Sequence, residues 1–485
     1  MKEGKVLVVQ LARLGDLVQT WPLLRRLCRR DPGRLPDLLA DKPLEAIQAW
    51  GPDVGQVWGV DLEGLSSMAR RDLPGAYERL RSLAEVFRER RYEAVYNLNF
   101  SRKSLLLSYL AGGEVRGYRP VQGGREFIRE PWLALVYALV HNRQVNRVHL
   151  SDVFRHLAPP GEPESRPPAL VAKQGEPVIA LQLATRHPKR TWPLTAFTRL
   201  AGTLADRLGA RVWLVGTKAE APIGEALAAG LTPAQRERVV NLMGRTDLSE
   251  LAARLKEAHL LISGDTGTLH LAAALGTRTV GVFLGPASCF ETGPYGEGHY
   301  VFQAEPPCHP CAEAGPACPE PICQAMIPPE AVADLTVSLC EGGEGHVCPA
   351  KPHGTRLYLS TFDPLGVSYA PIKDRLRFID LVGQAYRVAS AQLLGLAWPG
   401  GRLPFLGLGE EDWQNLEVLA AALNHGGGLR AAPPALVAAL TPFKVYQEEM
   451  ARQRSLGQDQ NEAEFCLESV AQGLRAGLRV LGVAG

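Results

Sequence analysis

The sequence predicts an α/β protein with two doubly wound halves, followed by a region of mainly helical pattern. Two observations carry that expectation. Short apolar runs with the length of buried parallel strands alternate with amphipathic stretches over roughly the first 340 residues. A proline-rich segment, Ala158 to Pro168, interrupts the alternation once and has the composition of a linker.

Taken in order, Lys5 to Gln10 reads as a strand, and Asp16 to Arg30 as a helix whose first turns are reset by Pro22. Tyr92 to Asn97 reads as another strand, with a helix starting near Ser101. After the linker, Pro177 to Leu183, Arg211 to Gly216 and Ala258 to Ser263 read as strands. The last feeds a small polar turn, Gly264-Asp265-Thr266-Gly267, and an alanine-rich helix that stops at Gly276, before a strand at Thr279 to Leu284. The expected domains are 1–157 and 177–341, joined by a linker at 158–176, then a second linker at 342–356 and a helical extension at 357–485. In the extension, helical patterns cover Ile372 to Leu394, Glu410 to Leu423, Pro433 to Ala451 and Glu462 to Leu481.

At 485 residues the chain is too long for one core, and two or three domains are expected. A net charge of +2 gives no reason to expect nucleic acid as a partner. The apolar run Val6 to Leu11 is too short for a signal peptide, and Trp132 to Val140 is too short to span a bilayer. A cytoplasmic protein is expected.

Ser263 to His270 is the most informative segment. Where a parallel strand feeds a helix, Asp265 and Thr266 are placed to cap the helix, and the amides from Gly267 onward face any anion set above them. A phosphate-bearing ligand and a plain capped turn both use these residues; His270, in the first helical turn, favours the ligand. Asp16 follows a glycine at the C-terminal edge of the first strand, where an aspartate serves either as a helix cap or as a proton acceptor. Lys189 and Arg190 precede Trp192-Pro193. No Asp-x-Asp pair for a diphosphate-bridging cation occurs, so protein cations and helix N-termini are expected to neutralise phosphate, with no cofactor required for catalysis. Of nine cysteines, four cluster as Cys308, Cys311, Cys318 and Cys323, a spacing compatible with structural zinc or iron or with a loop of reduced thiols.

Three motifs in order resemble glycosyltransferase family 9, the ADP-heptose:lipopolysaccharide heptosyltransferases: the N-terminal strand with Gly15-Asp16 and Pro22; Lys189-Arg190-Thr191-Trp192-Pro193; and Asp265-Thr-Gly-x-x-His270-x-Ala-Ala-Ala-Leu-Gly, followed by Gly285-Pro286 and Thr292 to Gly296. The resemblance implies a GT-B glycosyltransferase fold, two facing Rossmann-like domains binding acceptor and donor. It implies an inverting transfer of heptose from ADP-heptose, with Asp16 as general base. Arg190 stands where the family carries a phosphate-binding lysine, with Lys189 beside it. Lys103, Arg129 and Arg143 resemble basic acceptor-binding elements, although Asn97-Leu98-Asn99-Phe100 departs from the relatives' Asp-Leu-Gln-Gly. Some family members that modify autotransporters carry an iron-bound cysteine finger. The acceptor is expected to be a lipopolysaccharide core sugar; the alternatives are a protein acceptor or a non-catalytic sugar-nucleotide-binding scaffold.

Overall fold

The first strand, β1 (Val6–Gln10), is buried at all five positions, as a central parallel strand covered on both faces must be. The structure, a computed structural model, describes residues 5–120, 127–159, 169–171, 173–314, 318–342, 352–398, 414, 434–456 and 460–480. It divides into two compact units, Met1–Ser165 with Leu376–Gly485, and Arg166–Arg375.

In the first unit, β1 is followed by α1 (Leu14–Gln19), α2 (Trp21–Arg30), β2 (Asp37–Asp41), β3 (Val57–Val60), α3 (Leu62–Arg71), α4 (Leu73–Arg90), β4 (Ala94–Asn97), α5 (Arg102–Ala111), β5 (Glu114–Pro120), β6 (Phe127–Arg129), α6 (Pro131–Leu139) and α7 (Leu150–Arg155). The sheet order is β3-β2-β1-β4-β5-β6, with β6 alone antiparallel to its neighbour. Leu7, Val9, Leu39 and Val95 pack with Phe87 of α4 and Leu107 of α5 in its core. The single helix expected from Asp16 to Arg30 is two helices meeting at Thr20. Pro22 lies in the first turn of α2, where its missing N–H costs nothing.

The second unit repeats the plan: β7 (Val178–Gln182), α8 (Leu194–Leu208), β8 (Arg211–Val215), α9 (Ala221–Ala229), α10 (Pro233–Arg236), β9 (Val239–Asn241), α11 (Leu248–Glu257), β10 (Leu260–Ser263), α12 (Gly267–Ala274), β11 (Arg278–Phe283), α13 (Cys289–Thr292), β12 (Tyr300–Ala304) and α14 (Pro329–Cys340). Residues 357–371, expected to be part of a helical extension, instead complete this sheet as β13 (Thr355–Asp363) and β14 (Gly366–Pro371). The order is β14-β13-β12-β11-β10-β7-β8-β9, and the two added strands are antiparallel. Leu357 and Tyr358, on opposite faces of β13, are both buried, as are Val367 and Tyr369 on one face of β14, so these residues complete the core of the sheet as strands rather than forming helix.

The helices that follow, α15 (Phe378–Leu393), α16 (Pro434–Ser455) and α17 (Gln460–Val480), belong to the first unit rather than to a separate domain. The helix expected at 410–423 lies outside the described residues except for position 414. α17 crosses α15 backbone to backbone: a Cβ at Gly477 would lie 2.7 Å from Ala385 Cα, and one at Gly473 would collide with Ala389 Cα. Arg147 pairs with Asp380 of α15 at 3.0 Å, and Tyr386 donates to Ala439 O of α16 at 2.9 Å. No helix among the described residues is long and apolar enough to cross a membrane.

Candidate functional site

In each unit the strand order reverses beside one central strand. Connections run in opposite directions on either side of β1 and of β7, which opens a crevice at the strands' C-terminal ends, between β1 and β4 and between β7 and β10. The predicted residues sit at these two places.

At the second crevice, the turn after β10 and the loop after β7 are tied together. Thr266 caps α12, its hydroxyl accepting from Leu269 N at 3.3 Å and lying 2.8 Å from Ser263 Oγ. Thr268 donates to Gln182 Oε1 at 3.0 Å, linking α12 to the end of β7. Asp265 is not a cap. Arg190 donates to its carboxylate at 2.6 Å, and His270 Nε2 lies 3.7 Å from the other oxygen. Burial alone would raise the Asp265 carboxyl, but the neighbouring His270 ring, the Arg190 charge and the Thr292 hydroxyl outweigh it and hold the pKa below the usual carboxylate value. His270 is 5% exposed, and its Nδ1 has no hydrogen-bond partner among the described residues. Asp265, expected among the donor- or phosphate-binding residues, is the anion that Arg190 and His270 share.

The basic turn Pro188–Arg190 is held from several sides. His187 caps it by accepting from Lys189 N, and Trp192, 2% exposed, donates to Ile327 O at 3.2 Å. Gly285, at φ +57, approaches so closely that a Cβ there would lie 2.6 Å from Lys189 O. Gln324 donates to Pro188 O and Thr191 O, Lys189 Nζ to Ala312 O at 3.3 Å, and Arg190 Nη2 meets Glu313 at 2.7 Å. The hairpin β13–β14 braces the neighbouring loop, with Tyr369 donating to Pro294 O at 2.7 Å. Sequence reading missed Glu313, Gln182 and Tyr369, none of which carries a motif of its own.

The four clustered cysteines lie beside this turn. Burial raises the Cys323 thiol most; the Gly285 N–H lowers it, and Cys311, Cys308 and Cys318 raise it again, which makes the four neighbours. Among the described residues, however, no group of three or more His, Cys, Asp or Glu side chains converges to hold a metal ion. Cys323 is buried on the turn Ile322–Ala325, Cys311 is half-buried, and Cys308 and Cys318 are exposed.

At the first crevice, Asp16 lies in the first turn of α1 and accepts from Arg13 N at 3.2 Å. A carboxylate offers about four acceptor positions, so this cap leaves the proton-accepting role open to it. Beneath the loop, Asn99 donates to Gln10 Oε1 at 2.6 Å and accepts from Leu11 N at 2.7 Å, while Gln10 donates to Thr20 at 3.2 Å. This amide network crosses the switch point and fixes the loop that leads into α1 and Asp16; its signal was an amide ending β1 and another two residues past β4. Lys103 is exposed at the start of α5 and donates to Ser66 at 2.9 Å. Arg143 is half-buried after a short turn at Val140–Asn142. Arg129, expected at the acceptor site, is instead buried: it pairs with Glu449 at 2.8 Å and stacks on Tyr137 at 4.0 Å. A guanidinium so engaged serves the packing of α16, not a sugar. Next to it, Glu130 accepts from Gly117 N at 2.9 Å, and burial raises its carboxyl.

The sequence pattern of glycosyltransferase family 9 (heptosyltransferase) matches residues 80–320. Lipopolysaccharide heptosyltransferase 1 of Pseudomonas aeruginosa is 30% identical over 325 residues, 63% of this chain and 86% of that protein. Lipopolysaccharide heptosyltransferase 2 of Escherichia coli is 26% identical over 303 residues, 59% and 83%. Two solved structures share the fold. ADP-heptose lps heptosyltransferase II of E. coli has a TM-score of 0.51 at 22% identity, covering 70% of this chain and 99% of that one. A family 9 glycosyl transferase from Veillonella parvula has a TM-score of 0.52 at 17% identity, covering 70% and 98%.

Proposed function

This chain belongs to glycosyltransferase family 9, the heptosyltransferases, with the GT-B fold, and from that premise we propose that it transfers heptose from ADP-heptose to a lipopolysaccharide core sugar with inversion at the sugar carbon. The observation that carries the reading is the crevice between β7 and β10, where Lys189, Arg190 and the Thr266-capped end of α12 bring positive charge and amide donors together.

In this reading the diphosphate of the donor lies over the Gly267 and Thr268 amides, against Arg190 and Lys189, with His270 beneath. As the bond between sugar carbon and phosphate oxygen breaks, charge grows on the leaving ADP, and the two cations and the helix end stabilise it. Catalysis uses these protein cations in place of a metal bridge. Asp16 takes the proton of the acceptor hydroxyl as its oxygen attacks from the opposite face of the sugar. Arg190 in place of lysine offers a planar fork, which suits two phosphate oxygens.

The enzyme is proposed to work in the cytoplasm, in peripheral contact with the inner membrane. Leu73 and Tyr77 on α4 and Leu106 and Tyr109 on α5 are 68%, 63%, 49% and 72% exposed, and Arg70, Arg71, Arg102 and Lys103 are exposed on the same run of helices. Apolar and basic groups together suit an anionic lipid surface.

Calorimetric titration with ADP and with UDP tests the donor site. Selective binding of ADP, weakened by Lys189→Ala and Arg190→Gln together, is expected. Equal binding of both nucleotides, or none, would remove the donor reading.

A further inference from the structure

Arg190 carries two carboxylates where one would neutralise it. Asp265 takes Nη1 at 2.6 Å and is 6% exposed; Glu313 takes Nη2 at 2.7 Å and is 49% exposed. The third donor, Nε, is buried with no partner among the described residues. Glu313 is therefore the outer of the two anions, on the accessible side of the guanidinium. Its own segment is fastened to the same turn: Lys189 Nζ donates to Ala312 O, and His309 Nδ1 lies 3.1 Å from Gly285 O. Any diphosphate that reaches Nη2 of Arg190 meets a carboxylate already beside it, and the two like charges repel at that range.

We propose that Glu313 is a displaceable stand-in for the diphosphate: it occupies the outer N–H of Arg190 when no donor is bound and gives way when a nucleoside diphosphate arrives. The inference rests on the donor reading above. It assigns two roles to two similar residues. Asp265, buried and held ionised, positions Arg190 permanently; Glu313, exposed, competes for it. The competition disfavours weakly charged ligands, because only an anion that also engages Lys189 and the α12 amides recovers what the displaced pair gave.

An exposed ion pair is worth at most about 1 kcal/mol, so removing the competitor is expected to tighten binding by up to about fivefold. The test titrates wild type, Glu313→Gln, Arg190→Gln and Arg190→Gln/Glu313→Gln with ADP and with inorganic pyrophosphate. The inference expects Glu313→Gln to bind both more tightly than wild type, and the gain to vanish when Arg190→Gln is the common background. Equal or weaker binding by Glu313→Gln, with ADP still bound by wild type, overturns the inference and leaves the donor reading standing. Tighter pyrophosphate binding by Glu313→Gln, with ADP bound by neither protein, supports the competition and removes the donor reading.

Discussion

Arg129 Nη1 lies 2.8 Å from Glu449 Oε1, with the side chains 8% and 6% exposed, and so joins the strand β6 to a helix 320 residues further along the chain. Burial would raise the Glu449 carboxyl, but bonds from Arg452 and Gln453 and the charge of Arg129 hold it low. Breaking a buried pair strands the partner's charge, which costs about 3 kcal/mol or more. Glu449→Ala and Arg129→Ala are each expected to lower the melting temperature of the full chain, and the double variant by less than their sum. Additive losses in the thermal melts would mean that the pair is not coupled.

Asp265 holds both Arg190 and His270, so Asp265→Asn is expected to reduce kcat/KM for transfer by about a hundredfold through misplacement of those groups. The same carboxylate gives a pH signature. Its pKa is depressed below 3.8 in the folded protein, so its stabilising contribution is full above that value and is lost as pH falls through the lower folded value. Acid unfolding followed by circular dichroism should show a shallower loss below about pH 4 in Asp265→Asn than in wild type.

His299 is 1% exposed; burial first, then the charge of Arg278, lowers its pKa from 6.5 to about 3. The unfolded chain therefore binds a proton that the folded chain refuses between about pH 6.5 and 3, and stability falls as pH drops through that window. The slope from this one group is at most about 1.4 kcal/mol per pH unit. His299→Gln should flatten the dependence of melting temperature on pH between 6.5 and 4.5, whatever its effect at neutral pH.

Gly293 leaves no room for a side chain. A Cβ there would collide with Tyr369 Oη and stand 2.6 Å from Cys289 O. Gly293→Ala is expected to cost about 1–3 kcal/mol and to loosen the loop that brings Thr292 to Asp265. Pairing it with Tyr369→Ala should cost less than the two single losses summed in a chemical denaturation series, because the clashes with the Tyr369 Oη and Cζ are then removed.

What the sequence disclosed depended on whether a signal was local. The strand-to-helix turn at Ser263–Gly267 was legible because capping chemistry and strand length are written within ten or so residues. The turn Pro188–Arg190 was legible from the Trp-Pro beside it. Glu313 was not, because its partner is 123 positions away and nothing in its own neighbourhood marks it. The pairing of Arg129, read as an acceptor-binding residue, was hidden for the same reason: its partner Glu449 belongs to a helix whose pattern read as part of a separate domain. The hairpin β13–β14 was lost to a composition argument, since Thr355 to Pro371 follows a glycine-rich break and precedes a long helical stretch.

The central claim is that Asp16 serves chemistry at the first crevice while the diphosphate is held by residues of the second unit. The most direct measurement is ADP release from ADP-heptose in the presence of a lipopolysaccharide core acceptor, for wild type and Asp16→Asn, with ADP affinity measured on both. The account predicts transfer by wild type, a loss on the order of a thousandfold in kcat for Asp16→Asn, and unchanged ADP affinity. Transfer by Asp16→Asn at the wild-type rate would contradict it.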